Sequence, residues 1–401
     1  MKRLAIVTTH PIQYNAPWFR LLAKNKQVQL KVFYTWSQTK EGVRDKTFGR
    51  EIRWDIPLLE GYTYEFVENI SKNPGSNRWS GIDNPDLISK IERYDPGAIL
   101  IFGWNMKSHL QTMRYFKGKV PVWFRGDSTL LDETGGIKTV LRRLWLRYVY
   151  SKVDKVFCVG RESKKYFLVH GLEEEQLVLA PHAIDNERFF DSSEKQYEQK
   201  AKEWRKELGY NENDQVILFA GKFEEKKDPK ILISAFKDLR RNGIKDLKLL
   251  LVGNGPLEEE IAGLTKNDLN IQLLPFQNQT KMPLVYRLGN IFCLPSKGPG
   301  ETWGLAVNEA MACGRPVIIS DKAGCAPDLV KGKKVGNIFK ASNLPDLQES
   351  LFKMLEQDIN SFGENARQEI EKWNYDRITN AILKTFDTPE KSQFKNKKLQ
   401  S

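Results

Sequence analysis

Short apolar runs recur along the chain, each followed at once by a glycine-rich or polar loop and then by a helical pattern. In the first half they are Leu4 to Val7, Ala98 to Phe102, Val120 to Phe124 and Val156 to Val159. In the second half they are Val216 to Ala220, Leu247 to Val252, Ile291 to Leu294 and Pro316 to Ile319. Near-continuous Val, Ile, Leu and Phe is what a parallel strand requires when helices cover both faces of its sheet. Strand, loop and helix repeated in this way predict an α/β, doubly wound architecture.

Between 186 and 213 this rhythm stops, in a charged, strand-free stretch with a helical look around Tyr197 to Leu208. The expected organisation is a Rossmann-like domain over 1–185, a linker region over 186–213 and a second Rossmann-like domain over 214–361. A helix over 362–388 follows, with Trp373, Tyr375, Ile378, Ile382 and Phe386 at helical spacing, crossing back to the first domain. A polar, lysine-rich tail takes up 389–401. Two such sheets facing a cleft would present the loops at the carboxyl ends of their strands to one another, so function is expected in those loops.

Composition narrows the partners. The chain has 401 residues, more than one core usually serves, and 63 Lys and Arg against 51 Asp and Glu, a net charge of +12. That field attracts phosphates, nucleic acids or an anionic membrane. The basic residues do not cluster with aromatics in a recognised nucleic-acid module, so no nucleic acid is expected. Cys158, Cys293, Cys313 and Cys325 sit mostly in apolar runs without CxxC spacing, which fits a reducing cytosol and argues against zinc or a disulfide framework. The apolar start ends at Thr8-Thr9-His10, too short for a signal peptide. No run approaches the roughly eighteen apolar residues of a spanning helix, which leaves the cytoplasm, or peripheral attachment at the inner face of a membrane.

The densest chemistry follows Ile291 to Leu294. The loop Pro295-Ser296-Lys297-Gly298-Pro299-Gly300-Glu301-Thr302-Trp303-Gly304-Leu305 precedes a helical pattern ending at Gly314, expected as its cap. The amides of Trp303, Gly304 and Leu305 would lie at a helix start, a ready site for a diphosphate. Glu301 and Glu309 are eight residues apart, about 12 Å at helical rise. Carboxylates only accept hydrogen bonds, so beside a diphosphate they suit sugar and ribose hydroxyls. The bland alternative makes Glu309 a solvated helix residue and Ala310, Met311 and Ala312 core packing.

Residues Glu301 to Val317 read E-T-W-G-L-A-V-N-E-A-M-A-C-G-R-P-V. The segment resembles the E-x-F-G-L-x-x-x-E-A-M-A-x-G-x-P-V hallmark of the retaining GT-B glycosyltransferases of the family-four group, with Trp303 in place of Phe. That resemblance implies that Glu309 holds the ribose hydroxyls, Glu301 the donor sugar, and the Gly304 and Leu305 amides the phosphate region, with Thr302 and Trp303 beside them. Gly221-Lys222-Phe223-Glu224-Glu225-Lys226-Lys227-Asp228 resembles the family's G-R-L-x-x-x-K-G. Lys222 then stands for the Arg and Lys227 for the Lys that neutralise the leaving diphosphate, and Lys226 is one residue out of register. A solvated Lys/Glu cluster is the plain alternative.

Leu247 to Leu257 resembles the family's V-G-x-G-P-L turn, and Phe276-Gln277 the loop that meets the nucleobase, although Phe276 is as compatible with a core position. His182-Ala183-Ile184-Asp185 resembles the family's N-G-V-D hinge. In the first half, Thr9-His10-Pro11-Ile12 replaces the glycine pair of many relatives, and His10 is either a site residue or a strand-end cap. Arg125 or Asp127 stands where relatives carry a histidine near the transferred sugar; His109 is a further candidate, or a satisfied core residue. Lys138, Arg142, Arg143, Arg147 and Lys152, interleaved with apolar residues and no acid, suit an anionic lipid surface or the exposed side of a core helix.

The resemblance thus implies a metal-independent, cofactor-free enzyme that moves a sugar from a UDP- or GDP-sugar to a saccharide or lipid-linked saccharide acceptor with retention, in cell-envelope or exported polysaccharide and glycolipid biosynthesis. No Asp-x-Asp at a strand end offers a metal site. A sugar-nucleotide epimerase or phosphorylase on the same fold, or a non-catalytic nucleotide-sugar-binding subunit, remain the alternatives, since fold does not fix chemistry.

Overall fold

The computed structural model describes residues 1–36 and 54–388, with the backbone of 43–45 and 50–52; the expected tail, 389–401, lies outside the described residues. The chain forms two compact units. The first takes residues 1–36, 57–181 and 375–388, the second 182–374 with the short segment Arg44–Ile56.

The strands in chain order are β1 (Lys2–Thr8), β2 (Val28–Tyr34), β3 (Val43–Asp45), β4 (Arg50–Ile52), β5 (Thr63–Phe66), β6 (Ala98–Phe102), β7 (Val122–Gly126), β8 (Lys155–Cys158) and β9 (Leu177–Leu179). β3 and β4 pair as a separate ribbon, and the rest build a parallel sheet in the order β5-β2-β1-β6-β7-β8-β9. Strand order reverses between β1 and β6, so the loop holding His10 opens at that reversal. Ala5, Val7, Ile99, Ile101, Val122 and Phe124 form the middle of this core, packed by Leu110, Met113 and Phe167 from the flanking helices.

The second unit continues with β10 (Gln215–Ala220), β11 (Leu247–Val252), β12 (Ile271–Leu274), β13 (Ile291–Leu294), β14 (Val317–Ser320) and β15 (Gly336–Phe339). They are all parallel in the order β12-β11-β10-β13-β14-β15, reversing between β10 and β13. Val216 to Ala220 and Leu249 to Val252 are buried throughout, as strands covered on both faces must be. The crevice in which open α/β sheets bind ligands, outside the carboxyl ends at the reversal, therefore falls between the loops after β10 and β13. Those are the two loops carrying Lys222, Lys227 and Glu301.

The charged stretch 186–213 is not a spacer; it contributes the helices Asn186–Phe189 and Tyr197–Glu207 to the second unit. Arg205 fixes it there, donating to the Leu288 carbonyl and Asn290 Oδ1, each at 2.9 Å, and to the Asp214 carbonyl at 2.7 Å. The single helix expected over 362–388 is two, Ile359–Glu371 and Tyr375–Asp387. Asn374 ends the first by donating its amide to the Glu371 carbonyl at 2.8 Å, a local side-chain bond that competes with the helical ladder.

Candidate active site

The loop after β13 turns through Gly298 and Gly300, both at positive φ, and reaches the helix Leu305–Ala312 through Gly304 at φ 97. Only Gly accepts that left-handed geometry at little cost, which accounts for the G of the motif. Gly314, at φ 68, closes the helix: its amide bonds the Met311 carbonyl and the Arg315 amide bonds that of Ala310, the paired contacts of a Schellman cap. Glu309 rides on the helix but Glu301 lies in the loop before it, so axial rise does not set their separation.

Both carboxylates are buried, Glu301 at 7% and Glu309 at 3% exposure. Glu309 Oε2 accepts a hydrogen bond of 2.7 Å from the Tyr286 hydroxyl, itself buried. The solvated-helix alternative for Glu309 therefore fails, because a carboxylate kept from water needs donors. Glu301 Oε2 accepts from Ser296 Oγ at 2.7 Å and from the Lys227 ammonium, joining the loops after β10 and β13 across the reversal. The Lys297 amide also bonds the Lys226 carbonyl at 2.9 Å.

Backbone geometry separates the two lysines of this loop. Glu225–Lys227 forms a 3-10 turn and Asp228 follows at φ 47, in the place where the family pattern has Gly. Asp tolerates the left-handed region better than most side chains. The lysine before it, Lys227, reaches Glu301, while Lys226 lies 3.5 Å from Glu224. Lys222 is half-buried at the end of β10. Burial, offset by Lys297 at 3.9 Å, holds the Asp228 carboxyl above its ordinary pKa.

Gly253 brings the turn after β11 against this loop; a Cβ there would sit 1.9 Å from the Gly221 carbonyl oxygen. The Asn254 carbonyl accepts from the Phe223 amide at 3.0 Å, and Asn254 Oδ1 accepts from the Phe276 amide at 2.6 Å. Phe276 is thereby tied to the same three-loop cluster, half-buried, and Gln277 donates to the Pro275 carbonyl at 3.0 Å. Trp303 is core: its indole N–H donates to Asn308 Oδ1 at 2.8 Å and its ring lies 5.4 Å from that of Trp373. Asn308 in turn donates to the His182 carbonyl at 3.3 Å, and Asp185 caps the helix Asn186–Phe189 through the Arg188 amide. Thr302 and Leu305 are half-buried beside them.

In the first unit, Arg125 is buried and donates to the carbonyls of Ala180, at 2.7 Å, and Pro181, at 3.1 Å. Burial lowers its pKa to about 10, against the opposing pull of Asp127, so it stays charged. Its donors hold the segment at which the chain leaves this unit. His10 Nδ1 shares a 2.9 Å hydrogen bond with Thr9 Oγ1, and the ring packs edge-on to Trp36; burial lowers its pKa. His109 is fully buried between Thr35 Oγ1 and the Phe102 carbonyl, each at 2.9 Å, and burial brings its pKa down to about 4. It is a satisfied core residue.

All four cysteines are buried and unpaired. No group of three or more His, Cys, Asp and Glu among the described residues could hold a metal ion, and no described helix is long and apolar enough to cross a membrane. Ser296, Tyr286 and Asn308 are site residues that the sequence did not single out. Ser296 stands in the motif loop and was within reach of a census of its hydroxyls; Tyr286 meets Glu309 only through tertiary packing.

Residues 200–372 match the model of the family of glycosyl transferases group 1. A D-inositol 3-phosphate glycosyltransferase of Gordonia bronchialis is 30% identical over 196 residues, covering 45% of this chain and 42% of the relative. A glycosyltransferase of Methanocaldococcus jannaschii is 26% identical over 250 residues, covering 61% and 62%. The matched stretch thus spans less than two thirds of either relative's length. Among solved structures, Anabaena HepE in complex with UDP-glucose superposes with a TM-score of 0.67 over 96% of this chain and 100% of that one, at 16% identity. At that identity the likeness speaks for the fold, which is GT-B.

Proposed function

We propose that the chain is a retaining, metal-independent glycosyltransferase that moves a sugar from a nucleoside diphosphate sugar, UDP- or GDP-linked, to a hydroxyl of a saccharide or lipid-linked saccharide. Its setting is cell-envelope or exported polysaccharide and glycolipid assembly. The observation that carries this reading is the Lys227–Glu301–Ser296 contact at the strand-order reversal of the second sheet. It combines a cation for phosphate with an acceptor for sugar hydroxyls where α/β proteins bind ligands.

An ammonium has three donors and Glu301 engages one, so Lys227 can also meet diphosphate oxygens while holding the carboxylate toward the sugar. Lys222 and the start of the helix Leu305–Ala312 add positive potential for the departing diphosphate, and Glu309, oriented by Tyr286, takes the ribose hydroxyls. The bond from the anomeric carbon to the diphosphate breaks with its electron pair on the phosphate oxygen; the acceptor hydroxyl forms the new bond and gives up its proton to that departing oxygen. Catalysis is then chiefly positioning and electrostatics. The complex of HepE with UDP-glucose supports a nucleotide-sugar donor by likeness of fold, and Arg125, Asp127 and His10 are the first-unit residues proposed to assist the transfer.

The test is a panel of nucleotide sugars with and without saccharide and lipid-linked acceptors. Acceptor-dependent release of nucleoside diphosphate is expected. Conversion of the donor with no acceptor present would instead establish an epimerase, and stabilisation by donor without release under every acceptor would establish a binding subunit.

A further inference from the structure

The helix Ile137–Tyr150 of the first unit has two apolar faces, and the fold uses one. Leu146, Val149 and Tyr150 are buried and belong to the core of that unit. On the far side Ile137 is 80% exposed, Leu141 61% and Leu144 59%, and Val140, Trp145 and Tyr148 are exposed with them. At 3.6 residues per turn, 137, 141, 144 and 148 make one stripe, with 140 and 145 widening it to either side. Single exposed apolar residues are ordinary on a protein surface; six on one face of one helix are not. The sequence reading of a core helix with an exposed basic side was therefore half complete, since the exposed side is itself apolar.

Charge borders this face along both edges. Lys138 and Arg142 fall on one flank and Arg143 and Arg147 on the other, and the helix contains no acidic residue. The Arg114 guanidinium lies 5.4 Å and the Lys152 ammonium 4.6 Å from the centroid of the Tyr148 ring, which in turn lies 5.5 Å from Trp145. Glu133 pairs with Arg143 at this rim.

We infer that this face lies flat in the surface of an anionic lipid bilayer, with Leu141, Leu144 and Tyr148 among the acyl chains and the flanking cations at the headgroups. An apolar stripe alone would suit a protein groove equally well. Two lysine and arginine borders with an aromatic pair between them match the layered chemistry of a membrane interface, apolar below and anionic beside. Long cationic side chains reach outward from such a helix to the headgroup level while their stems cover apolar surface.

Sedimentation of the intact chain with vesicles needs no sugar donor, so its outcome is separate from that of the proposed transfer reaction. Binding is expected to phosphatidylcholine vesicles containing phosphatidylglycerol, weakened by added salt, and not to phosphatidylcholine alone. The double substitution Leu141→Gln, Leu144→Gln should weaken it about tenfold or more with an unchanged melting temperature, since both side chains are already exposed. Failure to bind the anionic vesicles, or binding that survives the double substitution, overturns the inference. So does a dimer in solution that the same substitutions dissolve, which would assign the face to a second copy.

Discussion

Lys227 and Glu301 meet across the reversal point of the second sheet, one from the loop after β10 and the other from the loop after β13. The carboxylate is buried and the ammonium half-buried, so Glu301 depends on Lys227 to offset its desolvation cost. Lys227→Ala should thus lower turnover about a hundredfold to a thousandfold, the range for loss of a group that stabilises developing charge. Lys226→Ala, removing a lysine beside Glu224, should stay near wild type. Rates of nucleoside diphosphate release by the two variants decide between them; unchanged turnover in the Lys227 variant would transfer the role to Lys226.

Tyr286 and Glu309 form a second buried pair, joined by a 2.7 Å bond. Glu309→Ala should weaken donor affinity about a hundredfold, the worth of roughly 3 kcal/mol in hydrogen bonds to a charged acceptor. Tyr286→Phe keeps the ring and removes the donor, so its expected signature is milder, with KM for the donor up roughly fivefold and kcat little changed. Wild-type donor binding by the Glu309 variant, measured by calorimetry, would contradict the assignment.

Gly253→Ala addresses the backbone rather than the chemistry. Its φ of 152 and the 1.9 Å approach to the Gly221 carbonyl leave no room for a methyl group, and the clash is with main chain that cannot rotate away. A loss of roughly 3 kcal/mol or more is expected, seen as a lower melting temperature, and donor affinity should fall with it as the lysine loop shifts.

His109 makes stability depend on acid. Its folded pKa of about 4 lies below the ordinary histidine value of 6.5, so the unfolded chain takes up the proton first as pH falls. The stabilising contribution is whole above pH 6.5 and is lost progressively toward pH 4, a total of roughly 3 kcal/mol. His109→Gln should flatten the melting-temperature profile over that window; an unchanged slope would show that another group sets it.

The parts of the fold that were legible are those whose physics is local. Central strands such as Ile291–Leu294 are buried on both faces and read as unbroken apolar runs, and the glycines of the motif loop announced their backbone needs. Strands toward the sheet margins were weaker signals. Val28–Tyr34 alternates with Gln29 and Lys31, and Gly336–Phe339 is only four residues long. The site divided in the same way. Glu301 and Glu309 stood out by type and spacing and Lys227 only through the family motif it resembles, whereas Tyr286 lies 23 residues before Glu309 with nothing in the sequence to link them. Arg125 was legible as a charge at a strand end but not as the guanidinium that fastens the Ala180–Pro181 exit.

The helix Tyr375–Asp387 belongs to the unit that the first residues began. Phe386 packs its ring 4.6 Å from Trp123, and Asp387 pairs with Lys2. A ribosome therefore delivers the closing piece of the amino-terminal body only after the whole carboxyl-terminal one has emerged. Cutting the gene after codon 181 would strand Trp123 without its cover, so anyone wishing to produce that half by itself should graft the terminal helix back onto it.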